Sequence, residues 1–294
     1  MKVVPRPVEA LGLYHVLPGS RALTVSFADP NATANDDVLD RALHSYSPSE
    51  LPDLARRAGA AAIAFGYVEP TLQFESLVPA LEHARRAGFL TAIQSNGGAT
   101  VEACARLAKL LDAVSVDVPT LVESTARRMG GVPAHALRSA LGTLRDRGVW
   151  TEVSTVLVPG VNDSDQELLE IALSLKTIDD TMPWHVRCIP TDERMLARWA
   201  ERAIERALEA GARAGLDYVY ATEAPGSDRE LTFCHVCRDV VLIERYLGQP
   251  RNLMSGGLRC PRCRTQARGL FERGAHAANS FGTFGASAAA SSRR

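Results

Sequence analysis

From about residue 22 to residue 222, short apolar, β-branched runs alternate with longer stretches of helical period. The runs at 23–27, 60–65, 90–94, 113–118, 151–158, 184–189 and 218–221 predict strands, and the stretches 49–57, 77–87, 101–111, 134–147, 166–175 and 196–214 predict amphipathic helices. The last is the clearest. Leu196, Trp199, Ala203, Ile204, Ala207 and Leu208 form an apolar stripe opposite Glu201, Arg202, Glu205 and Arg206. Strands that are apolar on both faces and joined by helices describe a parallel sheet, open or curled into a barrel. In either case ligand chemistry gathers at the carboxyl ends of the strands, so the loops beginning at Ala28, Gly66, Ser95, Pro119, Pro159, Pro190 and Thr222 are the places to seek function.

The pattern breaks after Gly226. Three units follow: a βα domain over 1–226, a compact four-cysteine segment over 227–273, and a Gly/Ala/Ser-rich tail over 274–294 that is expected to be disordered. The chain of 294 residues carries 33 Lys and Arg against 34 Asp and Glu, so no global field steers it onto nucleic acid or an acidic membrane. Arg251, Arg259, Arg262, Arg264 and Arg268 cluster near the second cysteine pair, but no aromatic side chains for base stacking are interleaved with them, which argues against a nucleic-acid partner. No apolar run approaches the roughly 20 residues of a membrane span, and residues 1–20 lack the apolar stretch of a secretory signal. The expected location is the cytoplasm, with no membrane association.

Four of the six cysteines form two pairs, Cys234-His235-Val236-Cys237 and Cys260-Pro261-Arg262-Cys263, spaced C-x2-C-x22-C-x2-C. In an intracellular chain, two such turns present four thiolates to one tetrahedral cation. Zinc suits four sulfurs and would staple a segment too small to hold its own core, whereas iron would make the module rubredoxin-like. Arg238 and Arg264 follow the knuckles where glycine is common in zinc ribbons, which predicts altered turn geometry there. Cys104, inside a helical stretch, reads as a small core residue, and Cys188, at a strand end, as a thiol within reach of the active face.

Several strand-end segments, taken in order, resemble one family. They are Leu13-Tyr14-His15-Val16-Leu17-Pro18-Gly19-Ser20-Arg21, Ser47-Pro48-Ser49-Glu50-Leu51, Ala64-Phe65-Gly66-Tyr67-Val68-Glu69-Pro70-Thr71 and Gln94-Ser95-Asn96-Gly97. The series continues with Leu111-Asp112-Ala113-Val114-Ser115-Val116-Asp117, Val158-Pro159-Gly160-Val161-Asn162-Asp163-Ser164, Pro183-Trp184-His185-Val186 and Tyr218-Val219-Tyr220. Together with Leu242-Ile243-Glu244-Arg245 after the first knuckle, they resemble radical SAM proteins of the AmmeMemoRadiSam type, similar to the pyruvate formate-lyase-activating enzymes. The resemblance implies an α/β fold: a partial (βα) TIM-type barrel with a small C-terminal zinc-ribbon or rubredoxin-like module. It also implies a [4Fe-4S] cluster, held by a CxxxCxxC loop after the first barrel strand, that cleaves S-adenosylmethionine.

The chain departs from that pattern at three strand ends. Where the family places three cysteines, it reads Phe27-Ala28-Asp29-Pro30-Asn31-Ala32-Thr33-Ala34-Asn35-Asp36-Asp37, and no cysteine precedes Cys104. Oxygen ligands such as Asp29, Asn31 or Asp36 poorly suit sulfide-bridged iron. Pro119 stands where the family has a lysine, and Arg187-Cys188-Ile189-Pro190 replaces Arg-x-His-Pro. By the same resemblance, Glu69 matches the acid that receives the methionine ammonium of S-adenosylmethionine, with Asn96 and Asp117 on neighbouring strand ends, although Glu69-Pro70-Thr71 is also a helix-start signal. His185, between Trp184 and Val186, reads as a packed, hydrogen-bonded histidine. The expectation is a degenerate radical-SAM-like protein with structural zinc and without the [4Fe-4S] cluster, serving as a non-catalytic binder of a small molecule or partner of a related cluster-bearing protein. The alternative is an S-adenosylmethionine-binding enzyme, either using iron-free chemistry or holding an atypically ligated cluster.

Overall fold

The computed structural model describes residues 1–28, 46–189, 193–222, 228–245 and 250–272. The tail over 274–294 and most of the 27–37 loop lie outside the described residues. The order is β1 (Lys2–Pro7), β2 (Arg21–Ser26), α1 (Leu51–Arg57), β3 (Ala62–Phe65), α2 (Phe74–Arg86), β4 (Leu90–Ser95), α3 (Val101–Leu107), β5 (Ala113–Asp117), α4 (Glu123–Met129) and α5 (Ala134–Asp146). There follow β6 (Trp150–Leu157), α6 (Asp165–Ile178), β7 (Trp184–Cys188), α7 (Arg194–Ala214), β8 (Val219–Ala221), β9 (Thr232–Phe233), β10 (Val241–Glu244) and β11 (Arg251–Asn252). Strands β2 to β8 pair in sequence order and parallel, with β1 antiparallel on the outside of β2. The elements outside the sequence pattern include α4, the short strands of the cysteine module, and β1, which carries Pro5 and Pro7 as an edge strand tolerates.

The barrel strands alternate strictly. Leu23 and Val25 on β2, Ile63 and Phe65 on β3, Val114 and Val116 on β5, and Trp184 and Val186 on β7 face the helices and build the main core. The intervening positions face inward. At the amino-terminal half of the strands these are mostly alanine, with Ala22, Ala62, Ala64, Ala92 and Ala113 joining Trp150 in a second buried cluster. At the carboxyl-terminal half they turn polar: Gln94, Asp117, Ser154 and Arg187. Gln94 on β4 and Thr222 just after β8 line one cavity, so the sheet curls, and no β1–β8 pairing closes it.

The alanine-lined half leaves room for the chain's own residues 8–17. Val8, Leu11, Leu13, Val16 and Leu17 fill the space and are at most 5% exposed. Gly12 lies against β5, where a Cβ would come 2.8 Å from the Ser115 hydroxyl at a φ of +70°, so only glycine fits. The four-cysteine module caps this plug from below. Leu17 N–H donates to the Leu270 carbonyl (2.7 Å) and Leu270 N–H to that of His15 (2.8 Å). Gly269, at φ +141°, allows the approach, since a Cβ there would come 2.6 Å from the His15 carbonyl.

Candidate ligand site and candidate metal centre

Three inward-facing strand ends and one loop meet at the mouth of the barrel, around a cavity of about 480 Å³. Glu69, Asn96 and Asp117 all line it, together with Arg6, Tyr67, Gln94 and Arg187. Glu69 is held rather than free. Its Oε1 accepts from Thr71 N–H (3.2 Å), the Thr71 hydroxyl (2.6 Å) and the Ser95 hydroxyl (2.9 Å), and its Oε2 accepts from Asn96 N–H (2.7 Å). The helix-start role read from Glu69-Pro70-Thr71 is thus real, and the same carboxylate ties the β3 loop to the β4 loop. A carboxylate offers about four acceptor sites, so Oε2 keeps capacity toward the cavity. The Asn96 Oδ1 closes its own turn on Gly98 N–H (2.8 Å), which leaves its amide nitrogen for a ligand.

Asp117 Oδ1 is buried without a partner among the described residues. Burial raises its pKa, the Arg187 guanidinium pulls it back down, and the Glu69 charge adds to the rise. The cation missing at Pro119 therefore has a counterpart in Arg187, two strands away on β7. Arg6 lies over the Tyr67 ring, 4.7 Å from its centroid, and Tyr67 itself has φ +70°, a strained backbone for a bulky residue at the rim. Sequence reasoning passed over Arg6, Gln94 and Arg187. A signal for the last two was available: polar residues every second position on otherwise apolar strands mark the inner face.

Cys188 does not reach the mouth. It occupies an outward position on β7, packs against the main core, and its thiol points at the Ala200 carbonyl on α7 (3.9 Å). Burial pushes that thiol up to about 11. Strand alternation is the reason, because Arg187 takes the inward position. Cys104 is buried in α3 as expected. The mouth therefore offers no thiolate among the described residues, and the residues present do not fit a [4Fe-4S] cluster.

Beneath the mouth lies a fully buried carboxylate. Glu152 on β6 is 0% exposed and accepts four hydrogen bonds, from Tyr14 N–H (2.9 Å), His15 N–H (2.9 Å), Trp150 Nε1–H (3.0 Å) and His185 Nε2–H (2.8 Å). Burial works against its charge, but the His185 hydrogen bond and the other donors prevail and hold the carboxyl below its ordinary value. His15 is wholly buried and burial lowers its pKa to about 4. Its neutral ring must donate from Nδ1 to the Arg268 carbonyl (2.7 Å), so the Tyr220 hydroxyl donates to Nε2 (2.6 Å). The Thr232 hydroxyl donates to Tyr220 (2.9 Å), and Arg245 donates to Thr232 (2.8 Å) and to the Tyr14 carbonyl (2.6 Å). A directed chain of hydrogen bonds thus links the cysteine module to the barrel floor.

The second candidate centre is the set Cys234, Cys237, Cys260 and Cys263, whose sulfurs all lie within 4.8 Å of one another. Cys234 and Cys263 sulfurs stand 3.5 Å apart and those of Cys237 and Cys260 3.7 Å, too far for disulfide bonds of about 2.05 Å. A tetrahedral ion with metal–sulfur bonds of about 2.3 Å holds its thiolates about 3.8 Å apart, so the residues fit a mononuclear site, whereas a multi-iron cluster would spread them. The expected change of turn geometry at Arg238 and Arg264 is not observed. Both residues adopt the left-handed conformation, φ +56° and +63°, that glycine takes there at less cost. Arg251 pairs with Glu244 (3.1 Å) and Arg262 with Asp239, so the arginine cluster is partly neutralised within the module. The centre lies at the amino-terminal face of the barrel, opposite the mouth, because its module contacts residues 15–17 and 217–220.

No protein-family model matches the chain. The uncharacterized protein MJ0808 of Methanocaldococcus jannaschii is 25% identical over 277 residues, which cover 87% of this chain and 80% of that protein. SuiB of Streptococcus suis bound to its precursor peptide SuiA superposes with a TM-score of 0.52 at 13% identity, over 74% of this chain and 52% of SuiB. The S-adenosylmethionine-bound form of SuiB gives 0.50 at 14% identity, over 74% and 50%. The chain thus spans about half the length of SuiB. At such identities the likeness is one of fold alone. No helix among the described residues is long and apolar enough to cross a membrane.

Proposed function

We propose that this protein is a member of the AmmeMemoRadiSam type that binds an S-adenosylmethionine-like ligand at its mouth without running radical chemistry, while zinc on Cys234, Cys237, Cys260 and Cys263 staples its C-terminal ribbon. The observation that carries the reading is the charge pattern of the 480 Å³ cavity, where the acids Glu69 and Asp117 face the same space as Arg6 and Arg187. A ligand with an α-ammonium and an α-carboxylate, as the methionine end of S-adenosylmethionine has, matches both signs at once. Asn96 would donate its free amide to the same end. The non-radical part rests on the sequence, which has no cysteine before Cys104.

The test combines metal analysis with thermal shift. After anaerobic purification and iron–sulfur reconstitution, one zinc per chain with no iron or sulfide is expected. Four irons and four sulfides per chain would overturn the non-radical reading. S-adenosylmethionine at 100 times its Kd stabilises the folded state by about 2.7 kcal/mol. For a chain of this size that corresponds to roughly 5 °C in Tm. Glu69→Ala also cuts the tie between two loops, so Asp117→Asn serves as the second variant. An absent shift, or an equal shift in both variants, would remove the ligand assignment.

A further inference from the structure

Below the mouth, and sharing Ala10, Gln94 and Arg187 with it, is a smaller chamber of about 180 Å³. Glu9, Gly12, Tyr14, Ser115, Ser154, His185 and Thr222 complete its wall. Three polar atoms of the residues that line it are buried without a partner among the described residues: Glu9 Oε2, Ser115 Oγ and His185 Nδ1. Ser115 and His185 are each 1% exposed. A buried polar atom left unpaired costs about 1–3 kcal/mol, and three around one space call for a common partner.

The orientation of the His185 ring is set by its neighbours. Glu152 already accepts three N–H groups that cannot reverse, so it stays a carboxylate, and His185 must donate to it from Nε2. In the neutral ring Nδ1 is then a lone pair on the chamber wall. Tyr14 packs edge-on against this ring, with centroids 4.7 Å apart, and Tyr220 stacks on it at 5.2 Å, so the ring cannot swing away. Gly12 keeps the space open, since a side chain there would run into Ser115.

The charges facing the chamber favour a cation. Arg187, which borders it, has Asp117 beside it, and Arg245 at the floor donates from its two terminal nitrogens to the Tyr14 and Glu230 carbonyls and to Thr232, while its Nε is buried without a partner among the described residues. Glu152 holds the Nε2–H of His185 (2.8 Å), and Glu9 adds a second carboxyl whose other oxygen accepts Gly19 N–H (2.7 Å). Burial raises the Glu9 pKa, and an ammonium beside it would bring it back down. A primary ammonium carries three N–H donors, matching the three unpartnered acceptors. The volume admits about six water-sized groups at roughly 30 Å³ each.

We propose that this chamber is a binding site for a small primary amine, held by Glu9, Ser115 and His185, with Glu152 positioning the histidine. The site adjoins the ligand site at the mouth and shares Ala10, Gln94 and Arg187 with it, but Glu9, Ser115 and His185 line only the chamber. The test uses the full zinc-loaded chain and three probes, ethanolamine, acetamide and acetate, with the His185 ring nitrogens followed by ¹⁵N NMR. Ethanolamine is expected to give a saturable shift of His185 Nδ1 in the millimolar range, and acetate none. Ser115→Ala removes an unpaired hydroxyl, so the variant folds, and it is expected to weaken ethanolamine about tenfold, the equivalent of 1.4 kcal/mol. His185→Gln is expected to abolish binding. No saturable shift up to 50-fold above about 1 mM would show that water alone fills the chamber and overturn the proposal. Equal binding of acetamide or acetate would overturn the cation assignment, as would unchanged ethanolamine affinity in Ser115→Ala. Because ethanolamine lacks an α-carboxylate, its binding can succeed while S-adenosylmethionine fails at the mouth, and the reverse.

Discussion

Glu152→Gln probes the floor of the barrel with an almost isosteric change. The carboxylate serves four donors, two on each oxygen: His15 N–H and Trp150 Nε1–H on Oε1, Tyr14 N–H and His185 Nε2–H on Oε2. A glutamine keeps one oxygen, which best remains with His15 and Trp150, because neither donor can be reversed. Its NH₂ then faces two former donors. His185 can answer by moving its proton to Nδ1, but the Tyr14 amide cannot and is left unpaired at a cost of about 1–3 kcal/mol. The two surviving bonds lose their charge assistance, about 1 kcal/mol each. The sum is about 4 kcal/mol, within the range for removing one partner of a buried ionic network. Denaturant unfolding of the metal-loaded protein should show the loss as a lower midpoint at unchanged slope, and NMR should show His185 switching tautomer. A loss below about 1 kcal/mol, with His185 still protonated on Nε2, would refute the assignment of Glu152 as the ionised anchor of the floor.

The remaining predictions concern acid, metal and backbone. His15 has its pKa lowered from 6.5 to about 4, so as pH falls below 6.5 the unfolded chain takes up a proton that the folded chain refuses. The stability present above pH 6.5 should therefore decline by about 3 kcal/mol on the way to pH 4, while Glu152, whose pKa is depressed, loses its contribution only below its ordinary value. A ¹⁵N titration should find the His15 ring still neutral at pH 5, and a ring charged at pH 5.5 would contradict this. Removing the metal with a chelator, or changing Cys260→Ser, should raise amide exchange at Leu17 and Leu270 along with the ribbon, since these residues donate across the junction. Exchange confined to the cysteine module would show that the two are uncoupled. Arg238→Gly and Arg264→Gly should each relieve about 1 kcal/mol of left-handed strain, because the side-chain bonds they give up, Arg238 to Asp217 and Arg264 to Ser255, are exposed and weak. Destabilisation beyond about 1 kcal/mol in either variant would mean that the side chain matters more than the turn.

The sequence by itself determined whatever depends on local period and spacing. Seven apolar runs became β2 to β8 nearly residue for residue, because strands covered on both faces are mostly apolar. The two knuckles became one metal-sized cluster, because a CxxC turn presents its own pair of sulfurs. The placement of Glu69, Asn96 and Asp117 around one mouth followed from the rule that parallel strand ends converge. What only the tertiary structure decided is which side of each strand faces inward and what fills the inside. Alternation put Arg187 in the mouth and turned Cys188 away from it, and a shift of one position would have reversed them. The N-terminal residues 8–17 show no helix or strand period, yet the inward alanines leave a space that their apolar side chains fill. Glu152, His15 and His185 come from segments far apart in the chain, and their ionisation depends on mutual burial and on donors that only the folded backbone brings together.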